Sequence, residues 1–438
     1  MTVPPLPLAA SLLAIVAALA PSAAASDADS PGQIIHVAPP FPDAPPGDGS
    51  REHPLGTLAE AIDLAARSGS EAVLELAPGR YDLSPTAYTD PSCGNCQDPA
   101  QAIPATLGLR ISGDALLLRG AGMDSVTIVT HAGYGLLFED CRDCRMEGVT
   151  VTGGERDTSG RATDAAVVVR RSALALDRCR IAHNLGDSAT IEATVVGIMG
   201  ICGREGARLR LTRCEILGNS WDGIALYRDA VGHIEDCVID GVDSGRGGPA
   251  RGGRGVAIGV TWNAQATILG NLVRRYWKGI GLFVDAEAEV RENIIEEVLT
   301  WGIALWDADA GRPYGDIASN AIYRTGACGI SVTRGLAGGR EDSRVVHNAL
   351  VETGRNPRYD DGEVYCSQRA LAVHATRPAL EIGDNYYTAN REPGDRPGAA
   401  DMDEEIFRTA AAALIERLQR RPALRASAFL AAFGEAEE

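Results

Sequence analysis

Between Trp221 and Asp309 the chain concentrates side chains that can move protons or hold a polar ring: Asp222, Tyr227, Arg228, Arg254, Lys278, Phe283, Asp285, Trp306 and Asp307. A carboxylate and an amine held side by side can exchange a proton with a ligand. Aromatic faces beside charges of both signs suit the apolar face and the hydroxyls of a sugar ring. Lys278 is the only lysine among 41 basic residues; in so Arg-biased a chain, one amine stands out as a point charge or titratable base. Each charge taken singly also reads as an ordinary surface ion pair. The question is what could bring residues so far apart into one place.

A repeat could. Gly or Ala followed by alternating apolar residues recurs as "GLLFED" from Gly135, "AVVVRR" from Ala166, "GIMGIC" from Gly197, "GIALYR" from Gly223, "GVAIGV" from Gly255, "GIGLFV" from Gly279, "GIALWD" from Gly302, "GISVTR" from Gly329 and "ALAVHA" from Ala370. With that Gly or Ala as position zero, the first and third residues after it point inward and the fourth outward. The outward column then reads Glu139, Arg170, Ile201, Tyr227, Gly259, Phe283, Trp306, Thr333 and His374. The next column carries Asp140, Arg171, Cys202, Arg228, Val260, Val284, Asp307, Arg334 and Ala375, flanked by Asp229 and Asp285. The residue before each strand adds Asp222, Arg254 and Lys278 on three successive coils.

A second unit trails the first, as in "TRCEILGN", "RENIIEEV" and "VHNALVET". Its third residue is Cys179, Cys214, Cys237, then Asn271, Asn293, Asn320, Asn348 and Asn385. Identical amides stacked at about 4.8 Å can bond one another along a parallel solenoid, and three cysteines continuing the ladder serve as small buried fillers rather than disulfide partners. Cys328 and Cys366 precede consecutive first strands and are better candidates for a disulfide. Cys93 with Cys96 and Cys141 with Cys144 form two C-x-x-C pairs, which fit disulfides in an exported chain or a four-thiolate zinc site.

This arrangement resembles the right-handed parallel β-helix, or pectin-lyase-like, superfamily over residues of about 33 to 395. The expected fold is all-β: a right-handed parallel β-helix solenoid with an N-terminal capping helix and a C-terminal helical cap. The opening "GDGSREHPLGTLAEAIDLAARSGSEAVLELAPGRYDL" is similar to the capping segment of many exported β-helix proteins. In it Thr57 and Glu60 form a capping box, Leu58, Ala61, Ile62 and Ala65 an apolar helix face, and "AVLELAPGRYDL" starts the first strand. Residues 401–438 read as Ala-rich helices, reached through the linker "NREPGDRPGAAD".

The resemblance implies a polysaccharide or oligosaccharide partner and a choice among eliminative cleavage of a uronic-acid glycan, glycoside hydrolysis and C5 epimerisation. Lyase is the leading expectation, with Lys278 or Arg228 as base and Arg254 pairing the uronate. Asp285 and Asp307, with Asp222 nearby, are the hydrolytic alternative, since hydrolysis uses two carboxylates. "NSWDGI" resembles the "N-T-D-G" stretch of polygalacturonase-type hydrolases, but their paired Asp and Gly-His-Gly are missing. Tyr227, Phe283, Trp306, Arg334 and His374 are expected to bind the sugar. A non-catalytic glycan-binding or envelope β-helix is the rival from another class.

No cofactor is expected; calcium is an optional one, with Glu155, Asp157 and Asp164 of an insertion as oxygen donors. The net charge of −18 argues against nucleic acid, which needs a basic footprint. Residues 1–25 read as an export signal, and no later run is long and apolar enough to span a membrane. The mature chain is expected to be a secreted or periplasmic monomer.

Overall fold

The structure, a computed structural model, describes residues 32–40, 45–68, 71–157, 163–194, 196–241, 255–355, 368–376, 379–394 and 400–434. Arg254, Cys366 and the expected export signal lie outside these residues.

Strand follows strand in register, and all but one of the pairings are parallel: Ile224–Leu226 lies beside Val256–Val260, which lies beside Lys278–Phe283, then Ile303–Trp306 and Ile330–Arg334. Each coil adds one rung to each of three faces. The first carries these strands. The second runs from Gln33–Val37 through Glu287–Arg291 to Leu380–Gly383, and the third is a separate 11-stranded sheet of short strands from Gly79–Asp82 to Tyr386–Thr388. The first rung is Gln33–Val37 paired with Ala72–Leu76, one strand earlier than the sequence suggests. No helix among the described residues is long and apolar enough to cross a membrane.

Inward residues of all three faces meet in one continuous core that includes Ile224, Leu226, Ile258, Ile280, Leu282 and Ile303, all fully buried. Position zero recurs as glycine because rungs stack closely there. A Cβ on Gly279 would lie 2.3 Å from the carbonyl oxygen of Gly302, and one on Gly302 2.6 Å from that of Gly329.

The turn into the third face is fixed by the expected ladder. Asn271, Asn293, Asn320 and Asn348 each donate their amide N–H to the next Asn Oδ1 at 2.9, 3.0, 2.9 and 3.0 Å, ending on Asn385. Cys237 joins it by donating its backbone N–H to Asn271 Oδ1 at 2.9 Å. Cys179, Cys214 and Cys237 are free and buried. The residue before each ladder position is left-handed (Arg213 φ 54°, Glu292 φ 55°, Ser319 φ 59°), a strained conformation repeated in coil after coil. A second pair, Asn184 to Asn219 at 2.8 Å, was not read from the sequence.

The helix Leu58–Ser68 buries Leu58, Ala61, Ile62 and Ala65 against the first coils, and Thr57 accepts the Glu60 amide N–H at 3.2 Å while its hydroxyl donates to Glu60 Oε2 at 2.8 Å. The C-terminal helices Glu404–Ala410, Ala412–Gln419 and Ala428–Phe433 cover a flank of the solenoid. Phe407, Leu414, Leu418 and Phe429 pack on Leu272, Ile294, Ala321 and Ala349 of the third face. Disulfides join Cys93 to Cys96 and Cys141 to Cys144, and Cys328 is also disulfide-bonded.

Candidate functional site

Register decides which side chains share the first face. Ile201 pairs with Ile224 and Val260 with Leu282, so position zero is Gly200 rather than Gly197 and Ala257 rather than Gly255. "GIMGICGR" and "GVAIGVTW" each contain two frames of the same pattern, and hydrogen bonding selects the second. The outward column therefore reads Glu139, Arg170, Arg204, Tyr227, Thr261, Phe283, Trp306 and Thr333. Ile201 is core, and Gly259 falls two places after zero. The residues of that inner outward row are small (Ala225, Gly259, Gly281, Ala304) and form the floor of a groove.

Above this floor lies a cleft of about 400 Å³, lined by Asn95, Trp221, Asp222, Tyr227, Gly255, Val256, Gly259, Thr261, Trp262, Trp277, Lys278 and Phe283. Such a volume is within the range of small-ligand sites. Four of the expected residues, Asp222, Tyr227, Lys278 and Phe283, meet here. Phe283 folds back over the floor; a Cβ on Gly281 would touch its ring at 2.3 Å.

Asp222 is nearly buried. Its Oδ1 accepts the Val256 N–H at 2.7 Å, and its Oδ2 accepts a long bond from the Tyr227 hydroxyl at 3.5 Å. Burial pushes its carboxyl up to about 6, against the pull of the Val256 amide and Lys278. Burial conversely holds the Lys278 ammonium below its ordinary value, with Asp222 drawing it back up. The ammonium lies 5.4 Å from the centre of the Trp301 ring, a favourable cation–π position. It makes no ion pair among the described residues. Desolvation thus draws an acid and a base towards neutral pH inside a cleft, and their opposite charges only partly counter it, the usual mark of a working site.

Other expected residues serve the fold. Arg228 is not free: its Nε donates to Gly94 O at 3.2 Å, Nη2 donates to Cys96 O, and the guanidinium stacks 4.5 Å from the Trp262 ring centre. Arg228 and Val284 sit at left-handed turn positions, which explains why that column shapes turns. Asp307 accepts the Gly335 and Leu336 amides at 2.6 and 3.3 Å, and Asp285 the Arg312 amide at 2.8 Å; both organise loops outside the cleft. Arg334 is buried, donating to the carbonyls of Pro313, Ala379 and Arg340. His374 is the extra residue of a bulge, since Val332 pairs with Val373 and Thr333 with Ala375; it is exposed, away from the cleft. Trp306 borders the cleft without lining it, packed edge-on against Trp301 (4.5 Å) and beside Phe283 (5.9 Å), with its indole N–H on Ser331 Oγ at 3.1 Å. Val256 pairs with Lys278 in the register.

Calcium finds no prepared cage among the described residues, where no group of three or more His, Cys, Asp or Glu could hold a metal ion. Asp164 is buried against Arg156 Nη1 at 2.6 Å, and Glu155 pairs with His131 at 3.5 Å.

Sequence reasoning missed Trp262, Trp277, Thr261 and Asn95. A signal for the first two existed: all five tryptophans lie between 221 and 306.

Comparison with known proteins agrees on architecture. A family described as "Right handed beta helix region" matches residues 199–356, and no curated protein matches the chain. Among solved structures, the Dettilon tailspike protein aligns with a TM-score of 0.50 at 15% identity, covering 82% of this chain and 63% of the tailspike. This chain thus spans less than two thirds of that protein. An alginate lyase from Paenibacillus sp. strain FPU-7 (TM-score 0.36, 12% identity, 75% of this chain and 96% of that one) and a pectate lyase from Bacillus sp. N165 solved with trigalacturonate (0.33, 11%, 87% and 92%) are more distant. Strand pairing, family match and structural likeness together make this protein a right-handed parallel β-helix.

Proposed function

We propose that this β-helix is an exported polysaccharide lyase that cleaves a uronic-acid glycan in the cleft between Asp222 and Phe283. One observation carries the reading: a nearly buried carboxyl shifted to about 6 and a depressed ammonium, with no ion-pair partner among the described residues, open into one aromatic-walled cleft.

Arg228 is locked to the 93–96 loop, so the roles fall to these two groups. The Lys278 ammonium pairs with the uronate carboxylate and stabilises the charge that builds on it. Asp222, with Oδ1 tied to the Val256 amide, offers Oδ2 to the proton on the carbon bearing that carboxylate. The C–H bond breaks, its electron pair forms a double bond to the neighbouring carbon, and the glycosidic oxygen on that carbon leaves, taking a proton from water. Trp221, Trp262 and Phe283 supply faces for the sugar.

Hydrolysis by paired carboxylates is disfavoured, because Asp285 and Asp307 are spent on loop amides. A second reading, glycan binding without turnover, is favoured by one fact: both Asp222 oxygens already accept hydrogen bonds.

The test is incubation of the purified chain with a panel of uronic-acid polysaccharides, following the ultraviolet absorbance of unsaturated uronate alongside reducing ends. The lyase reading requires both signals to rise together. Reducing ends without unsaturation would mean hydrolysis, and retained binding with neither signal would mean a binding module.

A further inference from the structure

One wall of the cleft does not come from the coils that frame it. It is the loop Cys93–Cys96, closed by its own disulfide, in the connection between the antiparallel strands Thr86–Asp90 and Ile103–Gly120. Contacts from two coils fix where the loop sits. Arg228 donates to Gly94 O and Cys96 O, and Arg204 Nη1 donates to Ser92 O at 3.1 Å. Gly94 rests on Arg204 so closely that a Cβ there would lie 2.4 Å from its Cδ.

Asn95 is the residue this clamp presents. It lines the cleft, and its Oδ1 accepts the Trp262 indole N–H at 3.4 Å. An indole only donates, so the bond sets the amide's orientation and leaves the NH2 group as a two-proton donor. Among the described residues that NH2 has no protein partner. Arg228 lies over the same Trp262 ring, 4.5 Å from its centre, so one guanidinium contacts both the ring that orients the amide and the disulfide loop that carries it.

We propose that Asn95 is a ligand-contacting residue of the cleft. Its NH2 donates to a hydroxyl or glycosidic oxygen of the sugar adjoining the one whose carboxylate meets Lys278, and the Cys93–Cys96 disulfide holds it in reach. The inference rests on the uronic-acid reading above and deepens it: the site recognises at least two linked sugars, one through an ion pair and one through a neutral amide.

The experiment uses the full chain. Tryptophan fluorescence is titrated with oligogalacturonate and oligomannuronate of increasing length, with thermal unfolding measured in parallel. Asn95→Ala is expected to weaken binding of the oligomers about five- to tenfold, the worth of one hydrogen bond, while leaving monomer binding and the melting temperature unchanged. Cys93→Ser with Cys96→Ser, or reduction of the parent, shifts oligomer binding the same way. Equal oligomer affinity for Asn95→Ala and parent, with Lys278→Met defective, overturns the Asn95 assignment and leaves the uronate reading standing. A parent that binds no uronate oligomer overturns both.

Discussion

Two neighbouring stretches of one face hold the same trio of chemistries and treat them oppositely. Upstream, Asp90 is fully buried with Arg204 and the Tyr134 hydroxyl; downstream, Asp222 is nearly buried with Lys278 and the Tyr227 hydroxyl. Upstream, Asp90 accepts from Arg170 Nη1 at 2.7 Å, from Tyr134 at 2.8 Å and from Arg204 Nη2. Burial alone would raise its carboxyl, but Arg204, the Ser92 amide and Arg170 overcome it and hold the group below its ordinary value. Downstream, one amide and one lysine are too few, and Asp222 stays raised. The hairpin of Thr86–Asp90 closes the first stretch, and its loop stops at the edge of the second. Burial therefore does not make a reactive carboxyl by itself; incomplete compensation does.

The contrast can be broken most severely upstream. Arg204→Met leaves Asp90 buried with one guanidinium and should cost about 3–5 kcal/mol, read as a lower midpoint in denaturant unfolding. A loss under about 1 kcal/mol would mean that the network is not what fastens the hairpin. Downstream, Lys278→Met should lower kcat/KM at least about a hundredfold with the unfolding midpoint retained; full turnover would remove Lys278 from the mechanism.

The two carboxyls should also respond oppositely to pH. Between about pH 4 and pH 6 Asp222 keeps its proton when folded and loses it when unfolded, so its contribution to stability falls as pH rises through that window and stays lower above it. Asp222→Asn should then gain about 2 kcal/mol over the parent near pH 8 relative to pH 4, while abolishing turnover. The parent's activity should fall as pH drops below about 6. Asp90, held below its ordinary value of 3.8, contributes stability above that pH and loses it as pH falls through its folded value. Unfolding curves for Asp222→Asn and parent that run parallel across pH would remove the contrast. The smallest effect is expected at Trp306→Ala, about 1–2 kcal/mol of stability from lost contacts with Trp301 and Phe283, with oligosaccharide affinity little changed. A selective loss of binding would move Trp306 into the site.

The coil period, the capping box and the Asn ladder were legible because each is a local rule repeated many times. Asp222, Tyr227, Lys278 and Phe283 were legible as well, since the period alone stacks them. The frame at Gly197 and Gly255 was not, because a three- or two-residue slip keeps the same alternation of small and apolar residues. Roles of Arg228, Asp285, Asp307 and Arg334 were hidden for another reason: a charge that organises a turn looks the same in sequence as one that meets a ligand. Asn95 reaches the cleft from a hairpin more than 120 residues upstream of Asp222, a proximity no coil period encodes.

The ladder of asparagines has a final consequence. Its successive bonds bridge 22, 27, 28 and 37 residues of chain, yet their lengths hardly differ. Each amide acts as a rivet at fixed pitch, indifferent to how much chain is looped out between one rivet and the next. A segment grafted into such a loop would change what the coils display and leave the spacing beneath it untouched, so this scaffold can be re-tailored towards a new ligand without being refolded.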